Sequence, residues 1–328
     1  MTIRYGALGN SGLVVSVLGI GCNAFGTRID ADAVQGVVDA AFDTGVTFFD
    51  TADTYGLGAS EELLGAALKG RRDEVVVATK FGMDMKGRNG PDHGARASRR
   101  YVRRAVDASL RRLGTDHIDL YQLHQPDLVT PVEETLEAMN ELVAEGKVRY
   151  LGCSNFAGWE VTRASWVARS RGLTGFVTAQ NEYSLYNRVA EEELVPACLD
   201  AGIGVLPYFP LAYGLLTGKY SPGSAPEGSR LSRENQQQRL AGADFSRIEA
   251  LQEYAAARDV DLLSVAIGGL AAQPAVGSVI AGVSRAEQVR TNVAAAAWEP
   301  TADDLAELAG INRTALPGMT SRSFTRNA

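Results

Sequence analysis

The chain has few of the residues that build covalent or metal-stapled folds. Its 328 residues include three cysteines and three histidines. The cysteines are widely spaced, which rules out a disulfide framework. No His-x-x-x-His or Cys-x-x-Cys pair occurs, so no metal site is expected. Long apolar runs are also missing. None approaches the roughly 20 residues needed to cross a bilayer, so no membrane partner is expected. The start, Met-Thr-Ile-Arg-Tyr, has no apolar signal core, and the expected location is cytoplasmic. Positive charge is in deficit, with a formal net charge of −7, which argues against a nucleic-acid partner. The one basic cluster (Arg96, Arg99, Arg100, Arg103, Arg104, Arg111 and Arg112) has helical spacing and reads as a solvated helix face. No Gly-x-Gly-x-x-Gly follows the first strand, which weakens the case for a doubly wound dinucleotide sheet.

What is present is a strict alternation of apolar runs and amphipathic stretches. Segments 4–8 and 14–18 flank Gly9-Asn10-Ser11-Gly12 and predict a hairpin. Eight further strands are predicted at 17–21, 47–50, 75–80, 118–124, 148–154, 176–180, 203–208 and 278–281. Helices are predicted at 30–44, from 60, at 98–113, 131–146, 159–171 and 191–201. Several stop at a glycine: Gly45, Gly114, Gly146, Gly172 and Gly202. Eight such units predict an α/β fold, a closed (β/α)8 TIM barrel with an N-terminal hairpin and extra C-terminal helices, forming one domain over 1–328. Two connections, 82–99 and 212–242, are over-long. Both leave C-terminal strand ends, where barrels carry their chemistry.

Four polar residues sit at or just past those ends. Asp50 closes one strand and Tyr55 follows it, Lys80 closes the next and His124 the one after. Taken singly, each has a plain reading as a cap, a loop aromatic or a solvated charge. Taken jointly, they form a proton-donating site. A phenol has an ordinary pKa near 10, which a neighbouring ammonium lowers by favouring phenolate. Asp50 can neutralise Lys80, and His124 can donate to a carbonyl oxygen or relay a proton. The set has no electron source, so hydride must come from a cofactor.

The pieces Phe49-Asp50-Thr51-Ala52-Asp53-Thr54-Tyr55-Gly56, Ala78-Thr79-Lys80, Leu123-His124, Gly152-Cys153-Ser154-Asn155, Gln180-Asn181-Glu182-Tyr183, Gly214-Leu215-Leu216-Thr217-Gly218-Lys219-Tyr220 and Ala281-Gly282-Val283-Ser284 run through nearly the whole chain. They closely resemble the aldo-keto reductases, on the bacterial and potassium-channel β-subunit side of that family. The resemblance implies a barrel that binds NADPH without a Rossmann domain and reduces an aldehyde or ketone to an alcohol. It makes Tyr55 the general acid, tuned by Lys80 and Asp50, and has His124 orient the carbonyl. By the same resemblance, Ser154, Asn155 and Gln180 hold the nicotinamide carboxamide and Tyr208 stacks on its ring. Phe209, Pro210, Leu211 and Gly214 line the diphosphate side, with Lys219 and Arg230 reaching phosphates. Gly282, Ser284, Arg285, Gln288 and Asn292 match the adenosine-phosphate site, and Cys22, Asn23, Arg28 and Asp50 complete the contacts. Phe209 stands where many relatives carry Ser.

Phe25, Phe81 and Tyr213 are candidate substrate walls beside Tyr55 and His124, with Met83, Trp159 and Tyr183 weaker ones. Two rival readings share the fold: a reductase dedicated to a sugar or nucleotide-sugar keto intermediate, and a cofactor-sensing regulatory subunit. The expected partner is a small carbonyl compound, and a homo-oligomer is compatible with the family.

Overall fold

The computed structural model describes residues 3–311. The tail 314–328, whose Gly, Pro and Ser are compatible with either a pocket cover or disorder, lies outside the described residues. Eight parallel strands close into a barrel: β3 (Leu18–Gly21), β4 (Phe48–Asp50), β5 (Val76–Phe81), β6 (Ile118–Leu123), β7 (Val148–Ser154), β8 (Phe176–Glu182), β9 (Gly204–Tyr208) and β10 (Val279–Gly282), with β10 pairing back to β3. An antiparallel hairpin, β1 (Tyr5–Ala7) and β2 (Val14–Ser16), precedes them.

The hairpin closes the N-terminal end of the barrel. Its Leu8, Leu13 and Val15 pack with Phe48, Ala78, Leu120, Leu206 and Ile280, which point inward from five strands. Each buried Leu or Val contributes about 1.5–3 kcal/mol. Side chains on a strand alternate between faces, so the next inward layer lies two residues on. There the apolar set becomes Asp50, Lys80, Gln122, Tyr208 and Gly282. Barrel closure thus gathers polar groups from distant parts of the chain into one layer.

Around the barrel lie α1 (Ala31–Thr44), α2 (Ala59–Ala67), α3 (Arg99–Leu113), α4 (Val132–Ala144), α5 (Gly158–Arg171), α6 (Leu194–Ala201), α7 (Gln237–Ala241), α8 (Phe245–Ala256), α9 (Leu262–Ala271), α10 (Ala286–Ala295) and α11 (Ala302–Ile311). Asp30 caps α1 by accepting from the Ala33 amide at 3.1 Å, and Gly45 ends it at φ 79°. Part of the arginine cluster is paired rather than simply solvated. Arg99 and Arg103 of α3 reach Glu137, Glu141 and Glu145 on and just after α4, at 2.6–3.1 Å. Strand β8 runs two residues past its expected end, because Asn181 and Glu182 pair with Pro207 and Tyr208. The long β9 connection is not bare loop. Leu215, Leu216, Leu231 and Leu240 bury against α8, α9 and Leu308 of α11 in a second core. No helix of the described residues is long and apolar enough to cross a membrane.

Candidate active site

Lys80 is the centre of the polar layer. Its side chain is completely buried, and Nζ donates to Asp50 Oδ2 at 2.7 Å, to the Thr51 carbonyl at 2.8 Å and to Tyr55 Oη at 3.5 Å. Burial pulls its pKa down, but the Asp50 carboxylate and Tyr55 outweigh burial, so the group is held charged, above 10.5. The other Asp50 oxygen accepts from Gln180 Nε2 at 2.9 Å and Gln122 Nε2 at 3.2 Å. Gly152 makes room for this: a Cβ there would lie 2.9 Å from Gln122 Cγ and 2.4 Å from Thr178 Oγ1.

Tyr55 opens a short turn, Tyr55–Gly58, in which Gly56 and Leu57 adopt positive φ. This bend carries the phenol back over Lys80. Burial raises the Tyr55 pKa, Lys80 opposes this, and Asp50 reinforces it. The net direction is upward, opposite to the expectation from Lys80 alone, because burial outweighs the ammonium field and Asp50 cancels part of that field. The phenol therefore rests protonated, as a proton donor must. The His124 ring meets Tyr55 edge-on, with centroids 6.0 Å apart. His124 lies one residue past β6, fixed by its amide donating to the Phe81 carbonyl at 2.7 Å. Burial, then the Lys80 charge, push its pKa well below 6.5, so the imidazole is neutral. Its Nδ1 is buried without a hydrogen-bond partner.

A cavity of about 590 Å³ opens above this layer. Asp50, Tyr55 and His124 line it, while Lys80 sits beneath the floor. On one side are Ser154, Asn155, Gln180 and Tyr208. Asn155 takes the left-handed backbone (φ 58°), donates to the His124 carbonyl at 2.8 Å, and accepts from Tyr208 Oη at 2.8 Å. Phe209, Pro210, Leu211, Tyr213 and Gly214 form a wall with positive φ at Phe209 and Tyr213, conformations that non-glycine residues hold only when their surroundings impose them. Phe209 stacks edge-on against Tyr208 and obliquely on Tyr213. The far end carries Asn23, Arg28, Lys219, Arg230, Gly282, Ser284 and Gln288. There the Ser284 amide donates to Gln288 Oε1 at 2.8 Å.

Other candidates fall elsewhere. Cys22 is fully buried, its thiol on the Ile20 carbonyl, and its amide donates to the Asp50 carbonyl at 2.9 Å. Phe25 and Phe81 lie in the core, with Phe81 stacked on Tyr121 at 4.7 Å. Arg285, just before α10, and Asn292, on that helix, do not line the cavity. Trp159 is exposed beside a separate groove at the start of α5. Sequence reasoning missed Gln122, although its signal was available: it stands two residues before His124, on the same inward face. Met83, a weaker candidate wall in the sequence, lines the cavity, as do Gln125 and Thr217, which sequence reasoning did not single out.

The cavity suits a nicotinamide dinucleotide. Amide and hydroxyl groups converge at the catalytic end. At the other end Arg28, Lys219 and Arg230 have no carboxylate partner among the described residues, leaving three cations for phosphates.

A family model described as the aldo/keto reductase family matches residues 17–313. A probable voltage-gated potassium channel subunit beta of Oryza sativa subsp. japonica is 36% identical over 302 residues, covering 89% of this chain and 91% of the relative. An uncharacterized oxidoreductase of Bacillus subtilis (strain 168) is 39% identical over 305 residues, with the same coverage of both chains. The L-glyceraldehyde 3-phosphate reductase of Escherichia coli (strain K12) is 34% identical over 307 residues, covering 89% of this chain and 87% of the relative.

Proposed function

Because the chain belongs to the aldo/keto reductase family, we propose that it is an NADPH-dependent reductase that converts an aldehyde or ketone to an alcohol, with Tyr55 as general acid. The observation that carries this reading is the Tyr55 phenol, 3.5 Å from a buried, carboxylate-paired Lys80 and edge-on to the His124 ring, at the floor of a large cavity. When bound, the reduced nicotinamide supplies the hydride. Ser154, Asn155 and Gln180 would hold its carboxamide, with Tyr208 as the surface for the ring. Lys219, Arg230 and Arg28 would take the phosphates, and the surplus of three unpaired cations favours the cofactor with the additional 2′-phosphate.

The chain's own work is proton transfer and charge stabilisation. Tyr55 Oη gives its proton to the carbonyl oxygen, and Lys80 Nζ stabilises the phenolate left behind. Asp50 keeps Lys80 charged at no cost of an isolated buried cation. Neutral His124 can offer an N–H to the same oxygen without adding a second positive charge beside Lys80. Such acid catalysis contributes about 10²–10⁴-fold. The name of the Escherichia coli relative supports an aldehyde substrate, and a sugar-derived or phosphorylated carbonyl is one case of it. A second reading, a cofactor-sensing subunit with weak turnover, is favoured by the similarity to the plant channel subunit.

The test is titration with NADPH and NADH by fluorescence, then loss of reduced-nicotinamide absorbance with a panel of aromatic and sugar aldehydes. Tyr55→Phe should abolish turnover by about 10²-fold or more while leaving NADPH affinity nearly intact. Equal loss of binding and turnover would remove Tyr55 as the acid. Tight binding with no turnover on any carbonyl would favour the second reading.

A further inference from the structure

Behind the β4–β5 side of the site lies a buried polar cluster that the proposed chemistry does not use. Asp53 is wholly buried, two residues before Tyr55, and its amide donates to the Lys80 carbonyl at 3.1 Å. Its Oδ2 accepts from Asn89 Nδ2 at 2.9 Å, and its Oδ1 has no side-chain partner among the described residues. Asn89 belongs to segment 82–98, which also contributes Met83 to the cavity wall. It is one of the buried residues in a segment that is otherwise mostly half-buried or exposed. The amide is held on its other side by Arg112 Nη1 at 3.4 Å. The same segment makes a second tie beyond Tyr55, where Arg88 Nη1 donates to the Leu57 carbonyl at 3.2 Å. The two ties therefore bracket the general acid in sequence, at positions 53 and 57.

We propose that Asn89, acting through Asp53, is a positioning residue for Tyr55, so that segment 82–98 and the proton donor are set as one unit. This rests on the reading of Tyr55 as the acid. The segment that would feel the substrate thereby governs where the phenol sits above Lys80.

The electrostatics of the cluster point the same way. Asp53 faces Glu61 of α2, Arg112 and Tyr101 of α3, and Tyr121 of β6. Glu61 is already satisfied by Thr79 Oγ1 and Arg112 Nε, both at 2.6 Å. Two buried acids share one cation, so Asp53 has no counter-charge of its own. Burial, then Glu61, push its pKa up to about 8. Around neutral pH the raised pKa favours the neutral acid as acceptor for Asn89, and above about pH 8 the group becomes a buried anion whose nearby cation, Arg112, is shared with Glu61.

The experiment compares the wild type with Asn89→Ala, Arg88→Ala and Asp53→Asn. Wild-type turnover on the carbonyl panel comes first, because its absence would fail the functional reading and not the tie. Asn89→Ala should lower kcat by about tenfold or more, since an ångström of misplacement can cost about 10²-fold, with NADPH affinity unchanged. Arg88→Ala, at an exposed side chain, should lower kcat in the same direction by less. Wild-type kcat should decline above about pH 8, where Asp53 ionises; Asp53→Asn keeps a neutral acceptor for Asn89, so its kcat should exceed that of Asn89→Ala and lack that decline. Independently of turnover, the ring Cζ resonance of Tyr55, assigned by its loss in Tyr55→Phe, should shift in Asn89→Ala. An unmoved resonance, a rise in KM alone, or Asp53→Asn as impaired as Asn89→Ala would each overturn the proposal.

Discussion

Replacing Lys80 by Met tests whether the site is as dry as its geometry. The ion pair is 2.7 Å long, and its side chains are 1% and 3% exposed. Removing one partner of a buried pair leaves the other charge uncompensated and costs about 3–5 kcal/mol. In Lys80→Met the Asp50 carboxylate keeps only Gln180 and Gln122 as side-chain donors, and the Thr51 carbonyl loses its Lys80 donor. With an unfolding entropy near 2.1 cal/mol/K per residue, this corresponds to a fall in Tm of about 4–7 °C for a chain of this length. Adding Asp50→Asn removes the stranded charge, so the double variant should recover most of the loss while remaining inactive, having no ammonium to stabilise a phenolate. The cycle is read from urea unfolding followed by circular dichroism, with all four proteins at pH 7. The Lys80 pKa is raised above 10.5, so the contribution of the pair is complete at that pH and is lost only as pH climbs past the folded value. A single variant within about 1 kcal/mol of wild type, with no coupling in the cycle, would refute the argument, because that is the behaviour of a solvated pair.

Two further outcomes follow from the same geometry. His124 has its pKa depressed well below 6.5, first by burial and then by Lys80. The pH–rate profile should therefore show no His124-dependent break near 6.5, and folding stability should fall as pH drops below that value, where only the unfolded chain takes up the proton. A break near 6.5 that disappears in His124→Gln would contradict this. Gly9 has φ +56°, and a Cβ there would lie 2.6–2.8 Å from backbone atoms of Gly204, Gly202 and Val177. Gly9→Ala should lower stability by about 2–3 kcal/mol in thermal unfolding, through backbone strain and a clash that rigid barrel backbone cannot relieve. Gly6→Ala, with nothing within 4 Å, is the matched control and should be close to neutral.

What could be read from the sequence depended on whether a signal was periodic or relational. Strand ends and helix stops are local. Gly45, Gly114, Gly172 and Gly202 all take the left-handed conformation that their positions after amphipathic runs suggested. The polar groups of the candidate site were legible for the same reason, because a polar residue closing an apolar run stands out. Partners were not legible. Nothing local in Asn89 says that it meets Asp53, and nothing in the α3 arginines says that glutamates of the next helix answer them.

Phe25 and Phe81 show the difference most clearly, since both read as candidate substrate walls in the sequence. For Phe81, alternation carried the answer. If Lys80 points into the barrel, Phe81 must point out of it toward the helices, and there it stacks on Tyr121, which stands in the same outward phase one residue before Gln122. The same parity that hides Phe81 exposes Gln122, in phase with His124 and aimed at Asp50. Counting in twos from one trusted inward residue would thus have removed one wrong wall and supplied one missing hydrogen bond. It would not have supplied Asp53, whose position past the end of β4 escapes strand parity and whose environment comes from four separate elements.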